Sequence, residues 1–220
     1  MRKLFIFLLP VFVLFSCTDF FSTSLASWAA RDKDKLVPAV TTDNVDDLIA
    51  LAENDPDLSL ALLKKIKEAA EGASGEEKQK LQNAALEAAV NAAGLGQAVI
   101  GAMGDLSNVD NEEEVKQLVL DALNSMANLD SAEDILFDIL DGDFDPNEAD
   151  PNNMVMAAVI LMAGEAKKAA SGIDEYLEYF DPQDPQLSPE AQLAVDLALA
   201  AKDRVTGPIA DILNGLNLIF

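Results

Sequence analysis

The sequence predicts an all-α protein: a stack of about five antiparallel helix hairpins behind a short N-terminal tether. Three observations predict it. From Asp43 onward, apolar residues recur at helical spacing, with almost no alternating strand-like runs. The helical stretches are punctuated by Asp-Pro, Ser-Pro and glycine, which begin and end helices. The first helix of each pair starts at Asp43, Ser74, Asp110, Asn152 and Ser188, at spacings of 31, 36, 42 and 36 residues. A near-constant period with two helices per unit is the mark of a repeat array.

The elements follow in order. Val45, Leu48, Ile49 and Ala52 share one helical face, which Asn54-Asp55-Pro56 interrupts. Pro56 suits the first position of the next helix, whose face is Leu58, Ala61, Leu62, Ile66 and Ala69 and whose end is Gly72. Ser74 and Glu77 have the spacing of a capping box ahead of Leu81, Ala84, Ala85, Ala88, Ala89 and Ala92. Gly94 ends that helix, and Leu95, Val99, Ala102 and Met103 continue as its partner. Asp110 or Asn111 caps a run through Val115, Leu118, Leu123 and Met126, and Ser131 caps a short one with Ile135, Leu136, Ile139 and Leu140. Met154–Gly164 is apolar all round, so other helices surround it. It is too short to cross a bilayer, which takes about 20 residues. Ile173–Phe180 is its partner. Ser188-Pro189 starts a run to Arg204, and Thr206 and Pro208 start the last helix, with Ile209, Ile212, Leu213 and Leu216.

The last two units also align with each other at an offset of 36: Ala158 with Ala194, Leu161 with Leu197, Lys168 with Arg204, Ile173 with Ile209, Leu177 with Leu213. In this the body resembles tetratricopeptide-like stacks, in which each hairpin buries its apolar face only against the next. The aromatic residues of that consensus are mostly absent. Alanine and glycine carry the contacts instead (Ala84, Ala88, Gly101, Gly104, Ala194, Ala198). The alternative is a plain bundle of about ten helices with accidental spacing.

Residues 1–16 read as a signal peptide: Arg2 and Lys3, an apolar run from Leu4 to Phe15, then Ser16. The run is too short for a membrane span. Leu14-Phe15-Ser16-Cys17 resembles the lipobox of bacterial lipoproteins, with an aliphatic residue, a small residue and then cysteine; it departs from the pattern at Phe15. The resemblance implies that Cys17 carries a covalent diacylglycerol and becomes the new N-terminus. The chain would then be lipid-anchored in the cell membrane or outer membrane, facing the periplasm or the exterior. Residues 17–42 read as anchor and tether. Phe21, Leu25 and Trp28 recur at helical spacing, either to lie in the bilayer interface or to cap the body. Residues 43–220 form the helical-repeat domain.

Composition narrows the function. Of 220 residues, 39 are acidic and 15 basic, a net charge of −24. Removal of residues 1–16 would take two cations and no acid. Such a surface repels phosphate backbones, so no nucleic acid partner is expected. There is no histidine, and Cys17 is the one cysteine. That excludes Cys/His zinc sites, Ser-His-Asp and Cys-His nucleophiles, dithiols and structural disulfides. No enzymatic activity is expected from these residue types.

Three groups are candidate sites. Asp141, Asp143 and Asp145 stand at alternate positions, as in the start of a calcium loop, with Asn147 following. The pattern then fails, because Pro146 replaces the required glycine and Asn152 stands where a bidentate Glu belongs. An acidic loop between units explains the same residues, and no cofactor is expected. Tyr176, Tyr179 and Phe180 are the one aromatic cluster of the body, serving either core packing or contact with a ligand or peptide in a groove. A carboxylate pair of the glycosidase kind would need a buried, raised-pKa acid, which sequence cannot display.

The segment Asp46-Asp47-Leu48-Ile49 through Asn54-Asp55-Pro56-Asp57-Leu58 resembles the opening hairpin of the TRAP-transporter-associated T component. Those are lipid-anchored periplasmic proteins of tetratricopeptide-like fold. The resemblance implies a periplasmic solute-binding protein as partner, with an apolar ligand passed through a pore. The expected function is therefore a non-enzymatic, membrane-tethered binding scaffold. The alternatives are a calcium-binding or purely structural envelope lipoprotein and, from another class, a carboxylate-dependent hydrolase.

Overall fold

A computed structural model describes residues 33–96, 121, 123–169, 172, 175–176 and 179–206. The described residues hold six bounded α-helices, further helical residues at 95–96, 121, 123–125 and 175–176, two 3₁₀ turns and no strand. The helices are α1 (Val45–Ala52), α2 (Pro56–Gly72), α3 (Glu76–Ala93), α4 (Leu129–Leu140), α5 (Pro151–Lys168) and α6 (Pro189–Ala201). The turns are Lys33–Lys35 and Pro146–Glu148. The chain divides into a short leading unit, Met1–Leu36, and a body, Val37–Phe220. Several expected features lie outside the described residues: the signal peptide, Cys17, the Phe21-Leu25-Trp28 face, most of the Leu95–Met103 and Asp110–Met126 helices, and the last helix beyond Thr206.

Local chemistry sets the helix starts. Asp55 accepts a hydrogen bond from the Leu58 amide at 3.0 Å, and Pro56 follows with its φ already helical. Asp150 does the same for α5, accepting from the Asn152 and Asn153 amides at 2.8 and 3.1 Å ahead of Pro151. Ser188 Oγ caps α6 through the Ala191 amide at 3.1 Å. Loss of an N-cap side chain costs about 1 kcal/mol. Asp55→Ala is therefore expected to lower stability by about that much in thermal denaturation, and Asp55→Asn by much less, because Asn also caps well.

Two expected caps are corrected. Ser74 does not cap α3; Gly75 holds that position at φ 57°, and no side chain bonds the free amides there. The linker between α2 and α3 is three residues long, and Gly75 takes its positive φ there without the Cβ penalty that another residue would carry. Ser131 does not start α4 either. Asn128 does, at φ 49°, which places Ser131 inside the first turn. Asparagine tolerates this left-handed backbone better than most residues, and its Nδ2 bonds Asp57 Oδ1 at 3.2 Å. The run from Ser188 ends as a helix at Ala201, short of Arg204.

α3 is the hub of the body. It packs on α1, α2, α4 and α5, and α6 packs on α5. Ala85, Ala88, Ala89, Ala92 and Ala93 are buried together with Leu81 and Leu86, so apolar surface lies around most of the helix. Small side chains bring neighbouring axes close, and the volume between them is filled by Leu62, Leu63, Ile66, Leu136, Met154 and Leu161. Val37 and Val40 add to this core ahead of α1. Ala84, Ala194 and Ala198 are buried as well. Gly101 and Gly104 lie outside the described residues. α5 is buried on several sides, as its unbroken apolar run requires. None of the described helices is long and apolar enough to cross a membrane.

Candidate functional site

The acidic loop after α4 is held from two sides, by α3 and by the residue Arg204 that follows α6. Gln79 of α3 pairs with the backbone of Asp145, donating to its carbonyl at 2.8 Å and accepting from its amide at 3.0 Å. Asn83, one turn on, donates to the Glu148 carbonyl at 3.1 Å. Beyond α6, the Arg204 guanidinium donates to the carbonyls of Pro146, Asn147 and Ala149 at 2.8, 3.3 and 2.7 Å. One arginine thus donates to three loop carbonyls, of which Pro146 also accepts the Ala149 amide in the 3₁₀ turn.

This pinning determines what the loop acids do. Asp145 Oδ1 accepts from the amide and the side chain of Asn147, at 2.9 and 3.0 Å, and so caps the 3₁₀ turn. Asp143 lies 3.4 Å from Lys78 of α3. Asp141 follows the C-terminus of α4 and is exposed. Asp141, Asp143, Asp145 and Asn147 do not converge on one point, and among the described residues no three acidic, histidine or cysteine side chains form a cation cage.

The loop instead walls an open groove of about 460 Å³, within the range of ligand clefts, roughly 300–1,000 Å³. Phe137 and Leu140 of α4 and Phe144 of the loop form one side, and Leu193 and Leu197 of α6 the other. Phe137, Phe144 and Leu193 are half-buried and pack against the core. The charged side chains that line the groove are Asp141 and Asp196; Arg204 approaches its edge through the Pro146 carbonyl.

The aromatic cluster lies apart from that groove. The Tyr176 and Phe180 rings sit 5.9 Å apart and tilted by 38°, both half-buried. Tyr179 projects into solvent, 73 % exposed. Burial, with Glu165 and Glu133 nearby, pushes the Tyr176 hydroxyl above its usual range.

Between α4 and α5 lies a second polar group, which the sequence reading missed. Glu133 is completely buried. Its Oε1 accepts from Lys168 Nζ at 2.9 Å; Oε2 lies 2.8 Å from the same nitrogen but is too misaligned for a second bond. Lys168 also reaches Asp134 at 3.1 Å and Glu165 at 3.7 Å. Glu165 accepts from Ser188 Oγ, which links this cluster to the cap of α6. Gly164 of α5 faces the Glu133 carboxyl so closely that a Cβ there would overlap it. The available signal was position: Glu133 stands between Leu129 and Leu136 on the buried stripe of α4.

Burial raises the Glu133 carboxyl to about 7, against the pull of Lys168 and with help from Glu165 and Asp134. Burial works against the Lys168 ammonium too, but hydrogen bonds to Glu133 and Asp134 outweigh it and hold the ammonium charged. Glu133 has the elevated pKa of a general acid, but it faces Lys168 and Gly164 and does not line the groove. A pH dependence follows. Between the ordinary value of 4.5 and about 7 the unfolded chain has released this proton and the folded chain keeps it. Stability from this group is therefore full below the lower value and is lost as pH rises through the upper one. The melting temperature of the native protein relative to Glu133→Gln should rise as pH falls from about 8 to about 5. Parallel melting curves across that range would contradict it.

Comparison with known proteins gives no match: no family model fits the chain, and no curated protein or solved structure is significantly similar to it.

Proposed function

We propose that this chain is a membrane-tethered extracytoplasmic lipoprotein whose helical body is a non-enzymatic binding scaffold. The observation that carries the reading is Cys17 placed directly after a cationic start, an apolar run and Ser16. The strongly acidic composition supports a body held off an anionic membrane surface. The open groove between α4, the loop and α6 supports a binding role. As for arrangement, α5 against α6 supports successive units stacking in a tetratricopeptide-like way. The contacts of α3 with α5 and of α2 with α4 join units two apart, and they favour a compact winding around α3. The narrower role, as accessory component of a TRAP-type uptake system with a periplasmic solute-binding protein as partner, rests on the resemblance at residues 46–58.

The test is fractionation of cells making the native chain or Cys17→Ser. The native chain should enter the membrane fraction and leave it only with detergent. Cys17→Ser should remain the uncleaved precursor, without acyl label. Equal labelling and equal processing of the two would end the proposal. The second reading, a calcium-binding or purely structural lipoprotein, has less support, since Asp143 and Asp145 are occupied by Lys78 and by the turn. Its calcium form predicts a rise in melting temperature at about millimolar calcium; the scaffold reading predicts none.

A further inference from the structure

Pro189, Gln192, Leu193, Asp196 and Leu197 line one side of the groove and fall at i, i+3, i+4, i+7 and i+8 of α6. The groove therefore follows two turns of a helix, about 12 Å at 1.5 Å per residue. Such a trough fits a segment of polypeptide better than a compact small molecule. Phe137, Phe144 and Leu193 leave apolar surface open to it, in the manner of grooves that take the apolar face of an amphipathic helix. Its charged lining is acidic throughout, Asp141 and Asp196, and the chain around it carries a net charge of −24. A second copy of this chain, an acidic segment or an anionic lipid surface would bring like charge to that lining.

We propose that the groove between α4, the 141–146 loop and α6 docks a basic amphipathic segment of a protein partner. Its apolar side would rest on Phe137, Phe144 and Leu193, and its Lys or Arg side chains would face Asp141 and Asp196. The apolar contact supplies affinity; the two carboxylates select the sign of the partner and speed its approach. This inference rests on the binding-scaffold reading for the kind of occupant and is independent of the acylation of Cys17.

The experiment uses the full chain in a zwitterionic detergent and a pair of fluorescent peptides. Both peptides carry Leu and Phe on one helical face; the other face is lysine in one and glutamate in the other. Fluorescence anisotropy should show the lysine peptide binding and the glutamate peptide not. Binding should weaken as ionic strength rises from about 0.05 to 0.5 M. Asp141→Lys with Asp196→Lys changes two exposed positions, so the melting curve should be retained. That variant should bind the lysine peptide at least about tenfold more weakly and should now bind the glutamate peptide. Equal binding of the two peptides by the native chain would overturn the charge assignment while leaving a scaffold in place. No binding of either would overturn the groove as a docking site. A concentration-dependent dimer in sedimentation that the double variant abolishes would give the groove to a second copy and overturn the proposal. None of these outcomes alters what fractionation says about Cys17.

Discussion

Gly164→Ala should destabilise the protein by about 3 kcal/mol, at the upper end of what a single added methyl costs in a packed interior. The added Cβ would overlap the Glu133 carboxyl and come within 2.8 Å of its Cγ. Glu133 has no easy retreat. It is buried, bound to Lys168, and flanked on its own helix by Ala132 and Leu136, both fully buried. Either the helices part, which opens the core between α4 and α5, or the carboxyl turns away and is left buried without its cation. Lys168 is 43 % exposed, so the loss is that of a buried polar group left without its partner, about 1–3 kcal/mol. The mechanism is specific enough to be tested by relief. Glu133→Ala removes the atoms that Gly164→Ala strikes, and Lys168 keeps Asp134 and Glu165. The double variant should therefore be more stable than the two single losses combined, by at least about 1 kcal/mol. Additive losses in urea denaturation would show that the tight approach of Gly164 to Glu133 is not the cause.

Leu86→Ala should cost about 3 kcal/mol as well, for a different reason. Leu86 sits midway along α3, the helix that four others touch, and its side chain is fully buried. Its neighbours on that helix are Ala85, Ala88, Ala89 and Val90, all buried, and so short that they have little reach with which to fill the space left behind. A cavity that cannot collapse costs both the lost transfer energy and the lost contacts. The midpoint of urea unfolding should fall with an unchanged slope, as for a native-state defect. The comparison is Leu199→Ala on α6, where the side chain is 45 % exposed; a change within about 0.5 kcal/mol is expected there. Similar losses at the two positions would contradict the placement of the core around α3.

Much of the helical architecture was legible because it is written locally. Asp55-Pro56, Gly72, Gly94 and Ser188-Pro189 each act on the backbone next to them, so these helix ends could be read from adjacent residues; the start expected at Asn152 is instead capped by Asp150. The apolar faces of α1 to α3 follow from spacing alone, and the residues expected there are the buried ones, with Leu48, Leu58 and Ala69 half-buried at the margin. The caps at Ser74 and Ser131 were misread because Gly75 and Asn128 adopt left-handed backbone, and Asn128 also bonds a distant residue, Asp57. The groove was illegible for a related reason. Phe137, Phe144 and Leu193 come from three segments, and the loop between them is aimed by Gln79, Asn83 and Arg204 from elsewhere in the chain. Sequence displayed the loop's acids but not that the turn and Lys78 already engage two of them. Glu133 stood in plain view on an apolar stripe. Its meaning depended on Gly164 and Lys168, some thirty residues on.

The proposed role of the body as a scaffold at a membrane depends on acylation of Cys17. The most direct measurement is mass spectrometry of the N-terminal peptide from the membrane-extracted protein. Residues 1–16 should be gone, and the chain should begin at Cys17 with a diacylglycerol on its sulfur. A peptide that runs through Ser16-Cys17-Thr18 with an unmodified thiol, or a mature chain that begins beyond Cys17, would contradict the account.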